Sequence, residues 1–498
     1  MESVQKGISI SSSCNKKLHA ALVIAGLAFM PFALTGCNSS SGGGTTEPPS
    51  NGGGTEPPPP PPPPAAAFKV NFADGAPSVN WGSEVTVTAF RPGQASHEYL
   101  STAGAGHTGA PLVAMGCAAC HETNLLNPPQ VAAKHDEDEP VHDIATVDLK
   151  IAAAYDASNF YLKASWQAER PGITHGRAVY KNGAWVKDSM ANEPGADPAA
   201  VGKVFAAEDR FATMFMPASK DVNTGNAGLS FHTAGCFVTC HNDMDDMPEW
   251  NAAGKETLKY LVRSKARTEG ASNGATKFAT GTETDADVTS GATQNFPDMW
   301  HWRGGRSAII NTVTDGFVMQ SRANDGGSNF YADNTLVTET GWMYDASWME
   351  AWITANFPNY TGEKKVHALP AALWDQALQN TPTLVTAGAN KNAVAYNATT
   401  AKFQEGDILP QRVLTPKTGS RSDVNAYASW ESGTWTVIFK RARDTGNKDD
   451  HVLNFDAENY SFAFAAHQDH TQHRWHHVTY PVTMGKEGSN ATIKAKLN

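Results

Sequence analysis

The chain has few cysteines and few charged residues for its length. Only six of its 498 residues are cysteine, and Asp, Glu, Lys and Arg together make up 18%. Acidic residues outnumber basic ones by 50 to 39, which gives a formal net charge of −11. This shortage of positive charge argues against nucleic-acid binding, because proteins of that class neutralise phosphates with Lys and Arg. An internal repeat of fixed period is also lacking.

An apolar run near the N-terminus, "ALVIAGLAFMPFALTGC", is typical of a secretory signal rather than of a membrane-spanning helix. Its end, Leu34-Thr35-Gly36-Cys37, resembles the lipobox of bacterial lipoproteins. We therefore expect residues 1–36 to be a lipoprotein signal peptide and Cys37 to carry the lipid. A plain signal peptide with an incidental cysteine is the alternative.

The segment after Cys37 is predicted to be a tether. Residues 38–64 are mostly Gly, Ser, Thr and Pro, and they end in eight consecutive prolines, Pro57 to Pro64. Gly/Ser stretches are flexible, whereas polyproline is a stiff spacer. The sequence thus predicts a tether over residues 37–67 and a globular part over residues 68–498.

Four cysteines remain for the globular part, in two close pairs, each followed at once by a histidine. They are Cys117 and Cys120 before His121, and Cys236 and Cys240 before His241. "CAACH" at 117–121 fits the C-x-x-C-H signature of covalent haem attachment, in which both cysteines bind the porphyrin edge and the histidine binds the iron. "CFVTCH" at 236–241 has one residue too many between its cysteines. We interpret this second motif as a haem site of variant spacing. The first haem site lies within residues 68–145.

Other uses of the four cysteines are open. Two disulfides would suit an exported protein and would make the chain a haem-free β-sandwich binding lipoprotein. A four-cysteine zinc site is a further option. Both leave the two adjacent histidines unexplained, and we therefore predict two haem c groups.

Short alternating runs predict a mainly β protein, an antiparallel β-sandwich with short helical insertions. Residues 146–166 read as two strands around an Asp-Ala-Ser-Asn turn, and residues 424–443 repeat this plan around Glu-Ser-Gly. Helical patterns are fewer: "AGKETLKYLVRSKART" after the second cysteine pair and "SWMEAWITANF" near residue 347.

Several motifs in order resemble the haem-binding subunit of ethylbenzene dehydrogenase and related type II molybdoenzymes, and their stand-alone c-type cytochrome relatives. They are "AAAYDASNFYLKASW", "EDRFATMFMP", "GCFVTCHNDM", "DMWHWRGGRS", "GDILPQRVL" and the C-terminal "FAFAAHQDHTQHRWHHVTYPVTMG". The likeness covers most of residues 75–485. It implies a β-sandwich with a haem between its sheets and a role in electron transfer. Molybdoenzyme-type members hold haem b through Met and Lys; Met214 or Met216 matches the Met, and no Lys matches.

His121 and His241 are therefore the expected proximal iron ligands, and each needs a distal partner. For the first haem the candidates are His107, on a Gly-rich segment, and His470 or His476 from a C-terminal cluster of five histidines. For the second they are His301, between two tryptophans, or Met216. The alternative for each of these side chains is that it fills the core. The His-rich tract could also bind a metal ion in its own right.

The sequence thus predicts a lipid-anchored dihaem c-type cytochrome, an electron carrier rather than an enzyme. Its globular part would be periplasmic or at the cell surface. Asn38 after the lipidated cysteine favours the outer membrane. The partners expected are redox proteins, a molybdoenzyme or another cytochrome. A haem subunit docked to a type II molybdoenzyme is the alternative, and a haem enzyme such as a peroxidase or nitrite reductase would require an open iron coordination site.

Overall fold

A computed structural model gives the structure of the chain. It describes residues 69–90, 146–168, 171–173, 177–188, 208–220, 231–238, 281–320, 322–328, 335–336, 342–380, 392–397, 399–410, 412–414, 416–467 and 476–498.

Strands account for most of the regular structure in these residues. They are β1 (Lys69–Phe72), β2 (Val85–Phe90), β3 (Thr146–Tyr155), β4 (Asn159–Gln167), β5 (Arg177–Lys181), β6 (Ala184–Asp188), β7 (Arg210–Pro217), β8 (Asp298–Arg303), β9 (Thr314–Val318), β10 (Arg322–Asn324), β11 (Thr335–Leu336), β12 (Trp342–Tyr344), β13 (Ala393–Ala395), β14 (Ile408–Pro410), β15 (Arg412–Val413), β16 (Asn425–Glu431), β17 (Thr434–Ala442), β18 (Tyr460–His467), β19 (His476–Val478), β20 (Val482–Lys486) and β21 (Ile493–Leu497).

Most of these strands belong to one 14-stranded sheet. Its order is β1-β16-β17-β4-β3-β2-β19-β18-β7-β8-β9-β10, and β20 and β21 form a second link from β18 to β3. The pairs are antiparallel except β20 with β21 and β21 with β3. Smaller sheets join β14, β5 and β6, β11 and β15, and β12 and β13.

The two halves of the large sheet face each other across an aromatic core. Trp166 of β4 stacks on Phe211 of β7 with ring centroids 5.6 Å apart, and Phe160 of β4 lies 6.1 Å from Trp300 of β8. Such large side chains bury enough apolar area to hold two sheet faces together. The predicted mainly β, sandwich-like architecture is confirmed.

Both predicted hairpins form. β3 and β4 pair over residues 150–165. In the second hairpin, Asn425 of β16 lies opposite Lys440 of β17, and the pairing continues to Glu431 opposite Thr434. The second hairpin turns at Ser432 and Gly433, both of which have positive φ, 51° and 80°. Two such residues in sequence are what a tight hairpin turn with the native twist requires.

Helices are short and peripheral to the sheet. They are α1 (Phe231–Ala234), α2 (Asp285–Ser290), α3 (Ala346–Asn356) and α4 (Ala371–Asn380). The predicted helix near residue 347 is α3, whereas the one after the second cysteine pair lies outside the described residues. α3 packs through Met349, Trp352 and Ile353 into a separate apolar cluster with β12 and β14. Among the described residues, no helix combines the length and apolar character needed to cross a membrane.

Candidate functional site

The residues predicted to bind haem divide into two groups. Cys236, His301, Met214 and Met216 are described with their side chains, and His476 is described in its backbone as the first residue of β19. The others lie outside the described residues: Cys37, His107, Cys117, Cys120, His121, Cys240, His241 and His470. The structure therefore bears on the second cysteine pair, and the first site stays a prediction.

Strands β7 and β8 present different residues to their two faces. Phe211 and Phe215 of β7, with Trp300 and Trp302 of β8, point into the core between the sheet halves. The expectation of a haem between the sheets is therefore not met at this end, because aromatic side chains fill that space. The candidate ligands occupy the opposite face, since Met214 and Met216 alternate with the phenylalanines.

Small and sulfur-containing side chains cover this outer face. We call it the outer-face patch and define it by Ala212, Met214, Met216, Met299, His301, Ala463, Ala465 and His467. The alanines of β7 and β18 form a low floor in the middle. The methionines stand at one end of this floor and the two histidines at the other. Ala463 is fully buried, so the part of this floor left for a flat apolar group is the one formed by Ala212 and Ala465.

Cys236 lies beside this patch. It is 2% exposed and belongs to the same buried cluster as Met214, Met216 and Ala463. The 3₁₀ turn Gly235–Val238 that carries it approaches the sheet closely, because a Cβ on Gly235 would lie only 3.0 Å from the Cβ of Ala463. Gly235 also has a φ of 55°, so both its conformation and the available space require glycine. The "GC" pair of the motif thus fixes Cys236 over the sheet.

His301 is buried in an unusual hydrogen-bonding position. Its Nδ1 lies 2.9 Å from a guanidinium nitrogen of Arg303, and its Nε2 has no hydrogen-bond partner among the described residues. A guanidinium can only donate, so Nδ1 accepts and the neutral ring carries its proton on Nε2. Burial and the charge of Arg303 hold the pKa of His301 well below its usual range. The ring is neutral and presents a buried N–H donor to the patch.

Positive charge surrounds this end of the patch. Besides Arg303, the side chains of Arg210 and Arg322 act on His301, and the ring of His467 stacks on that of His301 with centroids 6.1 Å apart. Arg210 donates to the buried carboxylate of Glu208 at 3.0 Å, so this end of the patch already accommodates one carboxylate. Sequence reasoning named His301 but missed these neighbours. The alternation of "FAFAAH" in β18 would have placed His467 on the same face as Ala465.

Comparison with known proteins identifies the family of the chain. The model of the ethylbenzene dehydrogenase family matches residues 122–479, which includes the second cysteine pair and every strand of the outer-face patch. The chain belongs to this family. A curated relative, cytochrome c-552 of Stutzerimonas stutzeri, is 26% identical over 319 residues, which cover 62% of this chain and 83% of the relative. Both matches relate the chain to redox proteins, and the predicted family is confirmed.

Proposed function

We propose that the chain is an electron-transfer protein, a lipid-anchored c-type cytochrome with two haems, the second of which lies on the outer-face patch. The observation that carries this proposal is the burial of Cys236 in one cluster with Met214 and Met216, on the sheet face that also carries His301. A covalent haem site needs a thiol, an iron ligand and an apolar bed in one place. These four residues come from three separate segments of the sequence, so chain proximity does not account for their meeting.

The side chains of the patch fit a haem in three respects. The alanine floor suits a planar porphyrin, the thioethers suit iron, and the arginines with His301 Nε2–H suit the two propionate groups. A haem bound there would supply an iron centre that gains and loses one electron. The protein's part is to hold this group, to set its potential through the iron ligands and to keep water away.

The contacts favour Met216 over His301 as the distal ligand that accompanies His241. Iron binding through His301 Nε2 would require the ring proton on Nδ1, where Arg303 also donates. Met216, by contrast, is fully buried within the apolar part of the patch. We therefore assign the iron to Met216 and the buried N–H of His301 to a propionate.

The first haem and the anchor are proposed from the sequence. Cys117 and Cys120 attach this haem, His121 binds its iron, and His107, His470 or His476 completes its coordination. Lipid on Cys37 and the proline-rich tether hold the globular part at the cell envelope, with the outer membrane favoured. The family match also supports a haem subunit docked to a molybdoenzyme as a second candidate. Co-purification with a molybdenum-containing partner would support it.

Haem counting tests the proposal. We expect two covalent haems per chain by pyridine haemochrome assay and intact mass. The double variants Cys236→Ala/Cys240→Ala and Cys117→Ala/Cys120→Ala should each retain one. A colourless wild-type chain with two disulfides would refute the proposal. A wild-type chain that carries only one haem, and keeps it when Cys236 and Cys240 are replaced, would refute the second site.

A further inference from the structure

Five aspartates converge at one end of the aromatic core, away from the outer-face patch. All five are buried, and they come from four segments: β8, β9, the turn after β10 and the loop after β17. They are Asp298, Asp315, Asp325, Asp449 and Asp450. One carboxylate oxygen from each of Asp298, Asp315 and Asp450 lies within 4.8 Å of the other two.

Arg441 of β17 balances part of this charge. Its guanidinium donates to Asp298 at 2.7 Å and to Asp450 at 2.9 Å, and it also donates to the carbonyl of His451. Lys417 is a second nearby cation, but its ammonium donates to the carbonyl of Val313. Arg421 is a third cation, and its Nε donates to the backbone carbonyl of Asp325 at 3.1 Å. Three cations therefore face five carboxylates among the described residues, and burying uncompensated negative charge is costly.

Several carboxylate oxygens in this cluster are buried and accept no hydrogen bond from the part of the chain that the structure describes. They are Oδ1 of Asp298, Oδ2 of Asp315 and both oxygens of Asp325. Asp325 is 0% exposed. Its neighbours differ from it: Asp449 accepts hydrogen bonds from Gly326 N and Ser420 Oγ, and Asp450 accepts one from Thr445 Oγ1. Buried oxygens that no donor among the described residues reaches are available to a bound cation.

We infer that Asp298, Asp315 and Asp450 bind a divalent cation beside the buried carboxylate of Asp325, and that this cation is calcium. The available donors are carboxylate oxygens alone, which suit hard cations and exclude soft metals. Calcium takes six to eight oxygens in flexible geometry, and three carboxylate oxygens within 4.8 Å of one another can share its coordination sphere. Magnesium keeps several of its waters, which a fully buried site does not accommodate.

The site would join elements that hydrogen bonds alone hold less firmly. Asp315 sits on β9 and Asp325 follows β10, the strand at the end of the sheet order. Asp298 begins β8, and Asp450 lies on the loop that follows β17 of the opposite sheet half. A cation bound to Asp298, Asp315 and Asp450, beside Asp325, would fasten this end of the sheet to the facing half.

Metal analysis of the purified holoprotein tests the inference. We expect about one calcium per chain, counted separately from haem iron, and a fall in melting temperature when a calcium-selective chelator is added. Asp325→Asn should weaken calcium binding by at least about tenfold in a calorimetric titration of chelator-treated protein. The matched control is Asp407→Asn, which removes another buried carboxylate, 3% exposed, outside the cluster.

The outcomes separate clearly. Calcium binding by wild type and Asp407→Asn, and its weakening in Asp325→Asn, would support the site. Two results would overturn it: wild-type protein whose melting temperature does not respond to millimolar calcium, or an equal response in Asp325→Asn. Asp325→Asn removes an unbalanced buried charge, so a folded variant is expected. The wild-type titration decides the matter in any case, whether or not haem is found.

Discussion

Replacing Met216 by leucine tests the assignment of the second iron ligand. Met216 is fully buried in β7, and its neighbours in the patch cluster are apolar. Leucine keeps nearly the same volume and hydrophobicity, so the free energy of unfolding should change by less than about 1.5 kcal/mol. The substitution thus removes the thioether and leaves the packing almost unchanged.

The reduction potential should respond much more strongly. Methionine ligation raises the potential of a haem that histidine binds on the other side. Axial ligands as a whole span roughly 0.8 V, so losing the thioether should lower the potential of one haem by on the order of 0.1 V. Spectroelectrochemical titration of the dihaem protein measures this shift, and the other haem serves as an internal reference.

Met299→Leu is the control for this experiment. Met299 lies on the same face, in β8, is 4% exposed and belongs to the same cluster. Its replacement should have the same small effect on stability and leave both potentials within experimental scatter. Equal potentials in wild type and Met216→Leu would refute the assignment, and a shift in Met214→Leu instead would transfer the role to Met214.

Two further predictions concern buried carboxylates outside the haem patch. Burial raises the pKa of Asp407 from its ordinary value to about 6, so its ionisation destabilises the fold as the pH rises from about 4 to 6. The free energy of unfolding of Asp407→Asn, measured by chemical denaturation, should exceed that of wild type by at most about 3 kcal/mol at pH 7.5 and should equal it at pH 4. Glu208 is 0% exposed and accepts a hydrogen bond from Arg306 Nε at 2.8 Å. Glu208→Gln should therefore lower the free energy of unfolding, measured by urea denaturation, by about 3 to 5 kcal/mol. The exposed pair of Lys69 with Glu431 is its control: Glu431→Gln should cost less than about 1 kcal/mol, and an equal loss would show that burial is not what matters.

Local patterns carried the strand predictions. The run over residues 146–166 alternates and is interrupted by turn residues, so pairing of β3 with β4 follows from short-range information. The Ser432-Gly433 turn is of the same kind. "SWMEAWITANF" likewise predicted α3, which the Asp345 side chain caps at Trp348 N, 2.8 Å away.

The layout of the outer-face patch was beyond such patterns. Periodicity shows that Met216 and Phe215 point to opposite faces, but it does not show which face meets the other half of the sheet. That depends on the pairing of β7 with β18, more than 200 residues away. The carboxylate cluster was missed for the same reason. Asp298 and Asp315 are isolated acids in the sequence, Asp450 has only Asp449 beside it, and the sheet topology brings the three together.

Strand β8 relates the two candidate sites to each other. Asp298 and His301 are three residues apart, so they fall on opposite faces of the sheet. Carboxylates therefore collect on the inner side, around Arg441, and guanidinium groups on the outer side, around His301. Each side offers charge opposite to that of its proposed ligand. The inner carboxylates suit a cation, and the outer guanidinium groups suit a cofactor that bears carboxylates. Because the hydrogen-bonded sheet separates them, neither set of charges neutralises the other directly.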